Sequence, residues 1–255
     1  MEEDKQLQDE FSLGDVDKNL SSKQFLNKKN MIIFGSICLF LILIIIILII
    51  IITRSEDVKD DAEIYTEIIG EINCIFEIEK TKTPTQLISE KYEKNSGLSI
   101  LIEGQRIKYS KQYQFEKTGL FNVQIVLYQP INMDRMFENI EALKSVSLVS
   151  NKKTEITSMK STFEGCKNLY SFNITGFDTS PIKSISKIFY NCESLIDINI
   201  DQFDTSNVED MSHAFSNTDI EKFNFEKIKV NKLKNASFMF YGCNNLIEMN
   251  LPISL

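Results

Sequence analysis

The alternation of apolar and polar residues changes character along the chain, and each change marks an element. The first is an uncharged run of 22 residues, Met31 to Ile52 ("MIIFGSICLFLILIIIILIIII"). As a helix it would extend roughly 33 Å, against a hydrocarbon core of about 30 Å, so it predicts a single transmembrane helix. The run exceeds the apolar region of a cleaved leader, and "IITRSED" offers no small-residue cleavage site, which makes it a signal-anchor. Lys18, Lys23, Lys28 and Lys29 precede it and only Arg54 and Lys59 follow closely. The positive-inside rule then keeps the N-terminus cytoplasmic and places the remainder outside the cell or in a lumen. The expected location is the plasma membrane or another membrane of the secretory pathway. Residues 1–30 read as a disordered cytoplasmic tail and 53–63 as a linker.

Residues 64–129 carry strand-like spacing. "GEINCIFEIEK" alternates apolar and polar positions; in "LSILIEGQRIKY", Leu98, Ile100 and Ile102 share a face, and Glu103-Gly104 fits a tight hairpin turn. "FNVQIVLY" continues the two-residue period through Phe121, Val123, Ile125 and Leu127, whereas "TPTQLISEKY" predicts a short helix. Together these make a small β-rich module, with Cys74 as a packing residue inside a strand.

From residue 130 onward the chain repeats. Phe137, Phe163, Phe189, Phe215 and Phe240 recur at spacings of 26, 26, 26 and 25 residues. Each is followed by an L-x-x-L-x-L-like stretch: "LKSVSL", "LYSFNI", "LIDINI", "IEKFNF" and "LIEMNL". This period and pattern are the leucine-rich repeat signature. Within a tile, Ile198 and Ile200 alternate inward as in a strand. Val208, Met211 and Phe215, spaced three and four apart, predict one face of a helical turn, with "DTSN" as the turn before it. The expected fold is therefore an α/β solenoid of about five tiles over 130–255, preceded by the β module and the transmembrane helix. No tile can bury its apolar side alone, so stacking must close the core.

"FDTSPIKSISKIFYNCESLIDINIDQ" and "FMFYGCNNLIEMNL" closely resemble the tile of BspA-type leucine-rich repeat surface proteins of bacteria and protists. The resemblance covers 130–255. One tile departs from it: "SNTDI" stands for "YNCESL" and "KIKVNK" for "FDTSN". It implies a surface-displayed solenoid used for adhesion or protein recognition; a structural coat that self-associates through its repeats is the alternative. The chain closes in "NLPISL" without a polar capping tile. That predicts a fragment, a shortened product, or an end that pairs with a partner.

Composition narrows the chemistry. The net charge of −8, without a basic block beyond the juxtamembrane lysines, argues against nucleic-acid binding. The five cysteines form no C-x-x-C pair, which argues against a zinc site. Cys166, Cys192 and Cys243 share one repeat position with Thr218, so a buried ladder is expected, with a Cys166–Cys192 bridge as the other possibility. His213, the only histidine, has no partner for metal binding or nucleophilic catalysis and reads as a variable surface position. Asp178 and Asp204 open turns as caps rather than cation ligands. No cofactor, metal or catalytic residue is expected.

Asn173, Asn199, Asn224 and Asn250 fall between the inward apolar residues of successive strands and should point outward on the concave face. Stacked amides can form a ladder that needs no partner. The same residues, with Asp197, Asp201, Glu221, Glu226 and Glu248, could floor a binding surface for a polar or basic protein. Asn173 and Asn235 also begin N-glycosylation sequons.

Overall fold

The computed structural model describes residues 67–93, 97–200 and 202–250. Thirteen strands follow one another there. The first six are β1 (Gly70–Ile78), β2 (Thr85–Gln86), β3 (Leu98–Ile102), β4 (Gln105–Ile107), β5 (Gln112–Tyr113) and β6 (Gly119–Leu127). The repeats supply β7 (Ile131–Asn132), β8 (Leu143–Val149), β9 (Ile156–Ser158), β10 (Ser171–Thr175), β11 (Asp197–Asn199), β12 (Lys222–Asn224) and β13 (Glu248–Asn250). The described residues contain no α-helix, only a 3-10 turn at Phe225–Lys227.

Three expectations are corrected here. The repeats form a β-solenoid of about five coils, not an α/β solenoid, and "TPTQLISEKY" holds β2 and turns rather than a helix. Among the described residues no helix is long and apolar enough to cross a membrane. The structure therefore does not support a transmembrane signal-anchor, an integral membrane partner, or a location built on that anchor. The 31–52 run, with the 1–30 tail and the 53–63 linker, lies outside the described residues.

The reason for the missing helix is visible in the backbone. Every second amide of the turn arm bonds three residues back, as Met211 O accepts from Ala214 N and His213 O from Ser216 N. The intervening amides point along the solenoid axis. Phe163 N donates to Ile188 O at 2.9 Å, Phe189 N to Ala214 O at 2.9 Å and Phe215 N to Met239 O at 2.9 Å. An α-helix would direct all these amides within its own segment. Here Arg135, Ser161, Lys187, His213 and Phe238 hold φ between 54° and 58°, which unwinds the turn once per coil. A second left-handed column holds Asn139, Gly165, Asn191, Asn217 and Gly242, residue types that accept this conformation readily.

The side chains of the arm then stack. Parallel rings run from Phe137 to Phe163 (5.5 Å between centroids), Phe189 (5.4 Å), Phe215 (5.8 Å) and Phe240 (5.4 Å). The link from Phe189 to Phe215 is the longest and the most tilted, at 23°. The irregularity falls where the tile is one residue short. There β11 and β12 part into separate sheets, and Thr218 donates to Phe215 O of its own coil. In the regular coils the equivalent Cys166 and Cys192 thiols reach back to the preceding coil, at Phe137 O and Phe163 O.

The module continues the solenoid's sheet. The seven-stranded sheet has the order β11-β10-β8-β1-β6-β3-β4, so β1 lies between the repeat strand β8 and the module strand β6. Glu103 (φ 49°) and Gly104 (φ 76°) form the expected two-residue hairpin between β3 and β4. On the turn arm, Ser89 N donates to Met136 O at 2.8 Å, and Lys91 and Arg135 both pair with the buried carboxylate of Glu138. β1 and residues 87–91 together close the first coil.

Candidate functional site

Along each strand of the large sheet, alternate side chains enter the core: Ile72, Cys74 and Phe76 on β1, Val146 and Leu148 on β8, Phe172 and Ile174 on β10. Their neighbours form the opposite face, and the register aligns these into rows. One row crosses all seven strands: Arg106, Leu101, Gln124, Asn73, Ser147, Asn173, Asn199. Five consecutive members carry an amide or a hydroxyl. At about 4.8 Å per strand the row is roughly 29 Å long. The next row holds Asn122, Ile75, Ser145, Ser171 and Asp197.

The polar atoms are partly committed within the face. Gln124 Nε2 donates to Glu71 Oε2 at 2.9 Å, and Asn173 Nδ2 to Ser147 Oγ at 3.4 Å. Asn173 Oδ1 is buried and accepts no hydrogen bond among the described residues. A buried acceptor left without a donor costs about 1–3 kcal/mol.

The four asparagines are not one ladder. Asn173 pairs in register with Asn199, and Asn224 with Asn250, but the break between β11 and β12 separates the two pairs. Asn224 instead caps the 3-10 turn, its Oδ1 accepting from Glu226 N at 2.9 Å. Asp197, Glu221, Glu226 and Glu248 are exposed, and Glu248 is paired with Lys222 at 2.8 Å. Asp201 lies outside the described residues. Of the two sequons, Asn173 sits half-buried in the middle of the sheet, while Asn235 is exposed in a turn, its Oδ1 accepting from Ser237 N. Asn73 and Gln124 belong to the face although repeat spacing could not point to them. The alternation of "GEINCIFEI" carried the signal for Asn73.

The remaining candidates resolve as structure. Asp178 Oδ1 accepts from Ser180 N at 2.9 Å and Asp204 Oδ1 from Ser206 N at 3.0 Å. The Ser206 hydrogen bonds, with Lys229 beside them, hold the Asp204 carboxyl below its ordinary pKa. His213 occupies a left-handed turn position, half-buried between the rings of Tyr190 and Phe238, with Nδ1 3.2 Å from Ser216 Oγ. Among the described residues no three His, Cys, Asp or Glu side chains converge as a metal site.

Cys74, Cys166, Cys192 and Cys243 are free thiols, so Cys166 and Cys192 are not bridged. Burial pushes Cys166 up to about 12 and drives Cys74 and Cys192 in the same direction. At pH 8 these three should resist a thiolate-selective alkylating reagent in the native chain, while the half-buried Cys243 reacts before them. Mass mapping of the labelled peptides checks this; rapid native labelling of Cys166 or Cys192 would refute the buried ladder. The sign for stability follows. Unfolded thiols ionise near about pH 8.5 while the folded ones keep their protons. Their contribution is complete below that pH and is lost as pH rises toward the folded values.

Residues 131–251 match the family model described as "Mycoplasma protein of unknown function, DUF285". The matched stretch is the solenoid. No curated protein and no solved structure matches the chain.

Proposed function

We propose that the chain is a non-catalytic recognition protein whose binding surface is the polar face of the seven-stranded sheet. The observation that carries this is the unbroken row from Gln124 to Asn199, which joins module and repeats into one surface of hydrogen-bonding groups. Its geometry suits a protein surface that hydrogen-bonds to the accessible groups of the row, Gln124, Asn73, Ser147 and Asn199. Glu71 and Asp197 beside the row favour basic side chains in that partner. The resemblance of the tiles to BspA-type repeats supports the same reading and extends it to adhesion. Nothing in the face assembles a nucleophile, base and oxyanion donors, which is why recognition is preferred to catalysis.

Affinity capture with the full-length chain tests the proposal. Asp197→Lys combined with Asn199→Arg places two cations on exposed positions and should reduce partner retention at least tenfold, with the unfolding midpoint unchanged. Lys160→Glu, on the turn arm, should leave retention intact. Equal retention by the face variant would sink the proposal. Capture of the chain by itself alone would favour the self-associating coat instead.

A further inference from the structure

A cavity of about 350 Å³ lies where β1 enters the large sheet, lined by Ile68, Gly70, Glu71, Val149, Ser150 and Asn151. It adjoins the polar row. Glu71 and Asn73, two residues apart, share the same face of β1, and Gln124 Nε2 of the row donates to Glu71 Oε2 at 2.9 Å. The register sets Glu71 between Val126 on β6 and Val149 on β8. Val126 is buried, but Val149 is 42% exposed and Ile68 49%. The cavity is thus a carboxylate flanked by accessible aliphatic walls.

The charge of that carboxylate is uncompensated. Its neighbours have cations: Glu67 pairs with Lys152, and Glu77 with Lys144 at 2.7 Å. Among the described residues no lysine, arginine or histidine reaches Glu71, and the Gln124 amide is its one side-chain hydrogen bond. Oε1 is open.

We propose that this cavity receives an arginine side chain of the protein that docks on the polar face, with Glu71 as the residue that selects it. The assignment rests on that face being the binding surface. Three features select the occupant. The lone carboxylate calls for a cation. The aliphatic walls, Ile68 and Val149, suit a long methylene stem whose charged head stays at the polar end. A guanidinium fork offers two parallel N–H groups to Oε1 and Oε2, and Oε2 keeps a lone pair beside the Gln124 amide. An ammonium is a compact, strongly hydrated charge and does not fill that fork.

The test titrates the full-length chain with acetyl-Gly-Arg-Gly-amide at low salt, read from the backbone amide NMR signals of Glu71, Val149 and Asn151. A saturable shift at these three is expected, with Phe163 and Phe189 unmoved. The lysine tripeptide should bind about threefold or more weakly. The citrulline tripeptide, of the same shape without the charge, should be weaker by about tenfold or more. Glu71→Gln keeps the acceptor for Gln124 and should remove the preference for arginine over citrulline, with the unfolding midpoint unchanged. Val149→Lys, at an exposed position, sets a competing cation beside Glu71 and should block the tripeptide as well. Equal binding of arginine and citrulline, undiminished binding by Glu71→Gln, or no saturation by about 20 mM each overturns the proposal. Asp197→Lys with Asn199→Arg, three strands away on β11, should leave the titration unchanged. Loss of binding there would mean attraction by net charge alone and overturn it too. A failure of the polar face as binding surface shows separately: that double variant then retains the captured partner while the tripeptide still binds at Glu71.

Discussion

Replacing Phe163 by alanine is expected to cost about 3–5 kcal/mol of unfolding free energy. The ring is fully buried, stacked between Phe137 at 5.5 Å and Phe189 at 5.4 Å, with Phe172 edge-on at 5.4 Å. Alanine removes the transfer free energy of the ring and leaves a cavity that rigid coils on both sides cannot close. It also breaks two stacked pairs, each contributing about 0.5–1.5 kcal/mol beyond area. Phe240 is half-buried and stacked on one side only, so Phe240→Ala should cost about 1–2 kcal/mol under the same area argument. Denaturant unfolding of both variants provides the measurement. Equal losses would mean that the stack is not what holds neighbouring coils together.

Gly176→Ala is expected to be comparably severe, about 3–5 kcal/mol, for a backbone reason. Gly176 holds φ at +75°, and a Cβ there would lie 1.8 Å from Ser150 O. That carbonyl cannot swing aside cheaply. Ser150 N is bonded to Thr175 O at 3.0 Å, and its hydroxyl donates to Ile69 O at 2.7 Å, tying two coils to the residue that precedes β1. Gly104 supplies the control, with φ at +76° and open space around the added Cβ. Gly104→Ala should cost only about 1 kcal/mol, the price of the left-handed conformation. The difference between the two variants isolates the clash. If both lose the same amount, the close approach at Ser150 is not a constraint on the fold.

Much of the architecture was legible because burial imposes a period on the chain. The recurrence of Phe137, Phe163, Phe189, Phe215 and Phe240 set the coil length, and those rings do stack. The alternation in "LSILIEGQRIKY" gave β3, the Glu103-Gly104 turn and β4. The shared position of Cys166, Cys192, Cys243 and Thr218 identified a small-residue ladder, and its thiols bond to Phe carbonyls of preceding coils. The candidate face was only half legible. Repeat spacing located Asn173 and Asn199 but continued the series through Asn224 and Asn250, across a break between β11 and β12. One residue lost from "SNTDI" is a small change in sequence, yet it shortens the corner that brings a strand into register.

The helical turn expected at Val208, Met211 and Phe215 shows where local pattern stops deciding. Spacings of three and four place side chains on one side of an α-helix, and equally on one side of a chain of three-residue turns. Lys187 and Phe238 are not residues that advertise a left-handed conformation, so nothing local separates the two. What separates them is the destination of every second amide, and the acceptors lie about one coil, 24 or 25 residues, further along. Sequence by itself determined the repeat length, the apolar residues of the repeat core and the longer strands, because apolar burial is written into residue type. Only the tertiary structure decided between helix and β-solenoid, and joined module to repeats, because those outcomes depend on hydrogen-bond partners that exist only once the coils are stacked.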